Sequence, residues 1–328
     1  MFLPALVDDL LEVLIVPSFT RLGYVARRRL FGWSDPSAWT LEGRTVVITG
    51  PTSGLGREAA TSLARLGARL VLVGRNPVKL EETRSRIVAA TGNEALSTVV
   101  ADMSSLASVR TAAGEILELA PRIDILVDNA GAMFADRAET SEGFERTFAT
   151  MVLGPFVLLS RLAPRLAESP DARVIAVTSG GQYTQALPLD DLGFERGDYD
   201  GPRAYARAKR AQVALAREWA RRLTGRGVAV NAMHPGWADT PGLAASLPGF
   251  RERMGSLLRS PAEGVDTILW LAAAPDAAGL TGRLVLDRRP RPFDRVPSTR
   301  LSAAERRELW ARVAAMTGET AAGEDVPS

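Results

Sequence analysis

From Thr45 onward, short apolar runs alternate with longer stretches of helical periodicity. The runs Thr45–Gly50, Arg69–Gly74, Ser97–Val100, Ile123–Asn129, Arg173–Ser179, Ala229–His234 and Leu284–Leu286 predict seven strands. Between them, Gly56–Leu66, Val78–Ala90 and Leu106–Ala120 predict the first helices, and longer helical stretches separate the later strands. Strands this apolar are buried on both faces. The pattern predicts an α/β doubly wound Rossmann fold, a parallel seven-stranded sheet with helices on both faces, over residues 41–290. No internal repeat is present.

The ends follow other patterns. Leu3, Leu6, Val7, Leu10, Leu11 and Leu14 recur at helical spacing, with Asp8, Asp9 and Glu12 on the other face, so residues 1–16 predict an amphipathic helix. It is too short and too acidic in its middle to cross a bilayer, which takes about 20 apolar residues. A basic and aromatic stretch with Arg21, Arg27–Arg29, Phe31 and Trp33 completes an extension over 1–40. Two readings stand: the extension packs on its own domain or a second subunit of a homo-oligomer, or residues 1–33 make peripheral contact with an anionic membrane. At the other end, 291–328 reads as an extension with a polar helix over 303–315 and a frayed tail.

Composition narrows the chemistry. Lys79 and Lys209 are the only lysines in a chain whose 40 basic residues are otherwise arginine, dispersed and offset by 38 acids. A net charge of +2 argues against a nucleic-acid surface. With no cysteine and a single histidine, His234, disulfides, thiolate catalysis and a cysteine- or histidine-clustered metal site are excluded. A cytoplasmic protein is the default.

Arg44–Gly56, RTVVITGPTSGLG, runs from strand to helix through Gly50, Gly54 and Gly56. A helix N-terminus reached through such a turn suits a cofactor pyrophosphate, although glycine spacing alone also fits a purely geometric turn. The second strand ends Val73-Gly74-Arg75, with no acid for a ribose hydroxyl. An arginine there accommodates the 2′-phosphate of NADP and favours it over NAD; the alternative is a solvated surface charge. Tyr205 and Lys209 lie four residues apart and share a helix face. Two unit charges ~4 Å apart at an effective dielectric of ~20 attract by ~4 kcal/mol, so the ammonium can draw the phenol down towards neutrality. Ser179, ending a strand, brings a hydroxyl beside them.

TGPTSGLG at 49–56, DNAG at 128–131, Ser179, the Tyr205–Lys209 pair and HPG at 234–236, in this order, resemble the short-chain dehydrogenase/reductase family. FATMVLGPF at 148–156, MHPGWADTPG at 233–242 and LDRRP at 286–290 are similar to its member 12 branch. The resemblance implies an oxidoreductase acting on a small-molecule carbonyl or alcohol. Tyr205 would exchange the proton, Lys209 would bind the nicotinamide ribose and depress the tyrosine pKa, and Ser179 would hold the substrate oxygen. Gly50, Ser53, Gly54, Leu55 and Gly56 would surround the pyrophosphate, Asp102 and Met103 the adenine, Asn129, Ala130 and Gly131 the adenosine side, and Pro235, Gly236 and Thr240 the nicotinamide.

Two positions depart from the family pattern. Asp128 replaces a common asparagine, an expected tolerated change. Met151 replaces the asparagine that helps hold a water linking the lysine to solvent, and a thioether accepts weakly and donates nothing. Reduced but real activity is expected, the alternative being an NADP-binding regulatory or scaffold protein. The apolar segment 237–260 lies where the family places a substrate lid, pointing to a lipophilic substrate; a packed helix pair or a dimer contact is the other reading. His234 is expected to be structural.

Overall fold

The computed structural model describes residues 2–319. The N-terminal segment forms α1 (Phe2–Val13), α2 (Ile15–Phe19) and α3 (Arg21–Leu30). Then β1 (Thr45–Thr49), α4 (Gly54–Arg65), β2 (Arg69–Gly74), α5 (Pro77–Thr91), β3 (Leu96–Val100), α6 (Leu106–Leu119) and β4 (Ile125–Asp128) make the first half. The second half holds α7 (Arg146–Phe148), a π-type segment Ala149–Leu153, α8 (Gly154–Ala167), β5 (Ala172–Val177), α9 (Gly201–Arg222) and β6 (Val228–Met233). After it come α10 (Pro241–Ser246), α11 (Pro248–Met254), α12 (Pro261–Ala273), β7 (Leu284–Leu286), β8 (Arg289–Arg291) and α13 (Ala303–Thr317).

The strand order is β3-β2-β1-β4-β5-β6-β7-β8, parallel from β3 to β7. Strand alternation distributes the core: Val47 faces the cluster of α6, α8 and α9, while Val46 and Ile48 face that of α4, α5 and α12. Seven strands were expected and eight are found, a minor correction. Asp287 and Arg288, at φ +55° and +56°, turn the chain back so that β8 pairs antiparallel with β7. Two consecutive left-handed residues suit a two-residue hairpin, and neither is the glycine or asparagine that announces one.

Two helices differ in character from their sequence reading. Residues 1–16 do not form one helix, because the chain breaks at Leu14 before α2. The C-terminal helix buries Leu309, Trp310 and Val313, with the Trp310 ring 4.6 Å from Trp219 and 4.9 Å from Phe156, so it seals the α8–α9 face of the core. The tail beyond Glu319 lies outside the described residues. Among those described, only Arg146–Ala167 is long and apolar enough to cross a membrane, and 78% of its apolar window is buried in the protein core.

Candidate active site

The strand order reverses between β1 and β4, and doubly wound sheets bind ligands in the crevice at that point. Here the turn after β1 meets the chain after β4. Asn129 donates its amide to Thr49 O (3.0 Å) and Gly50 O (3.2 Å), while Thr49 Oγ1 accepts the N–H groups of Asn129 and Ala130. Gly50 sits at φ +67°, and a Cβ on Gly56 would stand 2.1 Å from Gly50 O. Both glycines are therefore required by geometry. The N-cap of α4, Ser53, makes no side-chain cap hydrogen bond, so the first N–H groups of a twelve-residue helix face the turn uncapped. That cradle fits a pyrophosphate. Thr240 approaches from the far side, its side chain about 3.5 Å from a Cβ placed on Gly54.

The other positions expected to border a cofactor spread along the strand ends. Arg75 is exposed just after β2. Asp102, exposed after β3, is folded onto its own loop by the N–H and hydroxyl of Ser104. Met103 is turned into the core. Leu55 lies against Gly264 of α12, where a Cβ would come within 2.7 Å of its Cδ2. Gly236, at φ +72°, passes so close to Arg259 and Phe19 O that a Cβ would fall 2.4 and 2.6 Å from them. Pro235 O accepts from Arg259 as well.

Ser179 follows β5, and Tyr205 and Lys209 lie one turn apart on α9. The Lys209 ammonium stands 5.6 Å from the Tyr205 ring centre and donates to Val177 O at 2.8 Å. The structure corrects one expectation: burial raises the Tyr205 phenol above its ordinary value, only partly countered by the hydroxyl of Ser179. The ammonium's charge is directed elsewhere. Burial pulls Lys209 down to about 8, opposed by Asp128, and burial pushes Asp128 up to about 6, opposed by Lys209 and by hydrogen bonds from Thr49 and Gln212. The departure from asparagine at 128 thus places an acid opposite the lysine.

Met151 is fully buried in the π-type segment, and its sulfur and the Lys209 Nζ both lie 3.3 Å from a Cβ placed on Gly131. It occupies the space beside the ammonium. Behind it, a cavity of about 40 Å³ is lined by Asp128, Met151, Phe156, Gln212 and Trp219. Gln212 Oε1 is buried there without a partner. His234 is buried and pulled down to about 3 by desolvation and by Arg259, so it stays neutral; its Nδ1 accepts the Gly236 N–H. That is a structural role.

Sequence reasoning missed Phe19. Its ring fills the space above Gly180, where a Cβ would lie 2.6 Å from it; it meets Trp237 edge-on at 5.7 Å, and its carbonyl accepts the Trp237 N–H. The N-terminal segment thus packs against the turn that follows Ser179. No local signal marks this, because the contact spans about 160 residues.

The short chain dehydrogenase family model matches residues 44–190. Dehydrogenase/reductase SDR family member 12 of Bos taurus is 38% identical over 291 residues, covering 88% of this chain and 90% of its own. The chain belongs to the short-chain dehydrogenase/reductase family. Retinol dehydrogenase 13 of Homo sapiens is 33% identical over 300 residues, 88% of each chain. Among solved structures, a Shigella flexneri short chain dehydrogenase complexed with NADP aligns with a TM-score of 0.61 at 26% identity, over 76% of this chain and 98% of its own. A Brucella melitensis 3-ketoacyl-(acyl-carrier-protein) reductase complexed with NADH gives 0.61 at 27%, over 75% and 97%. The family member described here is an NAD(P)-dependent oxidoreductase acting on a small molecule.

Proposed function

We propose that this enzyme prefers NADP and moves a hydride between the nicotinamide and the carbonyl or secondary alcohol of a lipophilic substrate. The observation that supports this chemistry is that Ser179, after β5, and Lys209, on α9, both lie close to the Tyr205 side chain. The α4 cradle would hold the pyrophosphate and Arg75 the 2′-phosphate, with Asn129–Gly131 and Pro235, Gly236 and Thr240 flanking. The bound cofactor supplies or takes the hydride. In reduction, Ser179 holds the carbonyl oxygen while Tyr205 gives it the phenolic proton; in oxidation the phenolate takes the proton back. Lys209 would hold the nicotinamide ribose. The apolar lid supports the lipophilic substrate: α10 and α11 bury no side chain, and Leu257 is exposed.

Cofactor preference is read by titrating NADPH and NADH against the protein's fluorescence. NADPH should bind at least about tenfold tighter, and Arg75→Ala should remove most of that margin, since a hydrogen bond to a charged group contributes ~1.5–3 kcal/mol. Equal affinities before and after the substitution would assign Arg75 to the bare surface.

Met151 supports a second reading, a cofactor-binding protein with an impaired site, because the group filling the space beside the ammonium cannot donate a hydrogen bond. Met151→Asn restores a donor and an acceptor. With a panel of aldehydes and ketones, that variant should raise turnover several-fold at some cost in stability, an amide being expensive to bury. An unchanged rate would mean that Asp128 and Gln212 already serve the lysine, while tight NADPH binding with no oxidation in either protein would favour the binding-protein reading.

A further inference from the structure

Helix α1 carries its polarity the wrong way round for a surface helix. Two of its three acids point inward: Asp8 is buried in ion pairs with Arg27, Arg289 and Arg291, and Glu12 pairs with Arg27, Arg291 and Arg295. Three of its large apolar residues point outward. Leu6, Leu10 and Val13 are 66, 59 and 77% exposed, and Leu14, Ile15, Val16 and Leu22 extend the stripe. Of the twelve large apolar side chains exposed among the described residues, these seven fall within seventeen consecutive positions. That concentration in one short segment is not the scatter normal on a soluble surface.

The orientation is held from within. Arg27 is fully buried and engages Asp8, Glu12 and Asp287 at once. Turning α1 over to hide its leucines would remove two of those carboxylates from a buried guanidinium, which is strongly unfavourable. The stripe therefore stays outside unless something covers it.

Charge and length identify the cover. Among residues 4–30 the exposed cations are Arg21, Arg28 and Arg29, and Asp9 is the one exposed acid. Arg29 lies seven residues after Leu22 and shares its helix face. An apolar stripe with an arginine border fits the headgroup region of an anionic bilayer. Twelve helical residues reach about 18 Å, short of the ~30 Å hydrocarbon core, so α1 would lie in the interface and not cross it.

We propose that α1 and α2 seat this enzyme on the surface of an anionic bilayer, with Leu6, Leu10, Val13, Ile15 and Val16 immersed and Arg28 and Arg29 on the headgroups. Because α2 ends at Phe19, against Gly180 and Trp237, docking brings the substrate side of Ser179 up to the lipid. Only this last step rests on the oxidoreductase reading.

Flotation of the purified full chain with phosphatidylcholine vesicles, with and without phosphatidylserine, tests the docking without needing turnover. The protein should float with the anionic vesicles, and the double variant Leu10→Glu/Val13→Glu should lose about tenfold or more of that partition with its melting temperature and NADPH affinity unchanged. Arg28→Glu/Arg29→Glu should lose the anionic preference alone. Failure to float on either vesicle, or flotation untouched by Leu10→Glu/Val13→Glu, overturns the proposal. So does a wild-type dimer that this variant dissolves, which would make a second copy the cover. An inactive protein that floats sinks the oxidoreductase reading and leaves the docking intact.

Discussion

Tyr205→Phe should reduce turnover of any accepted carbonyl by ~10²-fold or more, the range expected for loss of a positioned general acid. The ring stays and only the hydroxyl goes, so the fold and NADPH binding should change little. Retention of more than about a tenth of the rate would mean that another group carries the proton. Burial raises the Tyr205 phenol, and that sets the pH dependence. The acid form needed for reduction is fully populated through neutral pH, so reduction should be flat there. Oxidation requires the phenolate and should rise about tenfold per pH unit while the pH is below that raised value. A reductive rate that falls sharply between pH 6 and pH 8 would show that the titration of Asp128 and Lys209, at about 6 and about 8, controls the step in place of the tyrosine.

Asp287→Asn should lower the stability of the folded chain by about 3–5 kcal/mol, the usual cost of removing one partner from a buried ion pair. Asp287 is 1% exposed and takes Arg27 at 2.6 Å on one oxygen and Arg259 at 2.6 and 2.9 Å on both. Arg259 in turn holds the carbonyls of Ser18, Phe19, Thr20 and Pro235. Asparagine keeps the shape but takes the carboxylate from buried Arg259 and leaves Arg27 with Asp8 and Glu12 alone. The same contacts hold the left-handed backbone at 287 and 288, together with Arg288 on Asp266. Although burial pushes the Asp287 carboxyl up, Arg259 and Arg27 outweigh it and leave it below the ordinary carboxylate range; Asp8 is held down likewise against its burial by Arg291 and Arg27. A depressed folded value means stability that is complete above the unfolded value of ~3.9 and is lost as the pH falls below it. Thermal melts should therefore show the N-terminal segment losing its hold in acid, and a melting temperature unmoved by Asp287→Asn would remove the clamp from the account.

Some of this was local in sequence and some was not. The glycines of the first turn, the strand–helix alternation and the Tyr205–Lys209 pair were legible because each depends on backbone sterics or on helix periodicity over a few residues. The binding turn's closure by Asn129 and the partnership of Lys209 with Asp128 depend on strands that are distant in the chain, and only the sheet brings them together. So does the burial of Met151, which the sequence showed as a departure without showing what it fills. Residues 1–16 make the distinction sharpest. Their periodicity predicted a helix with one apolar and one acidic face, which forms as far as Val13. Which face turned inward was decided by tertiary structure, because Arg27 and Arg291 offer buried guanidiniums that carboxylates must neutralise, and charge left unpaired in the interior costs more than leucine left in water.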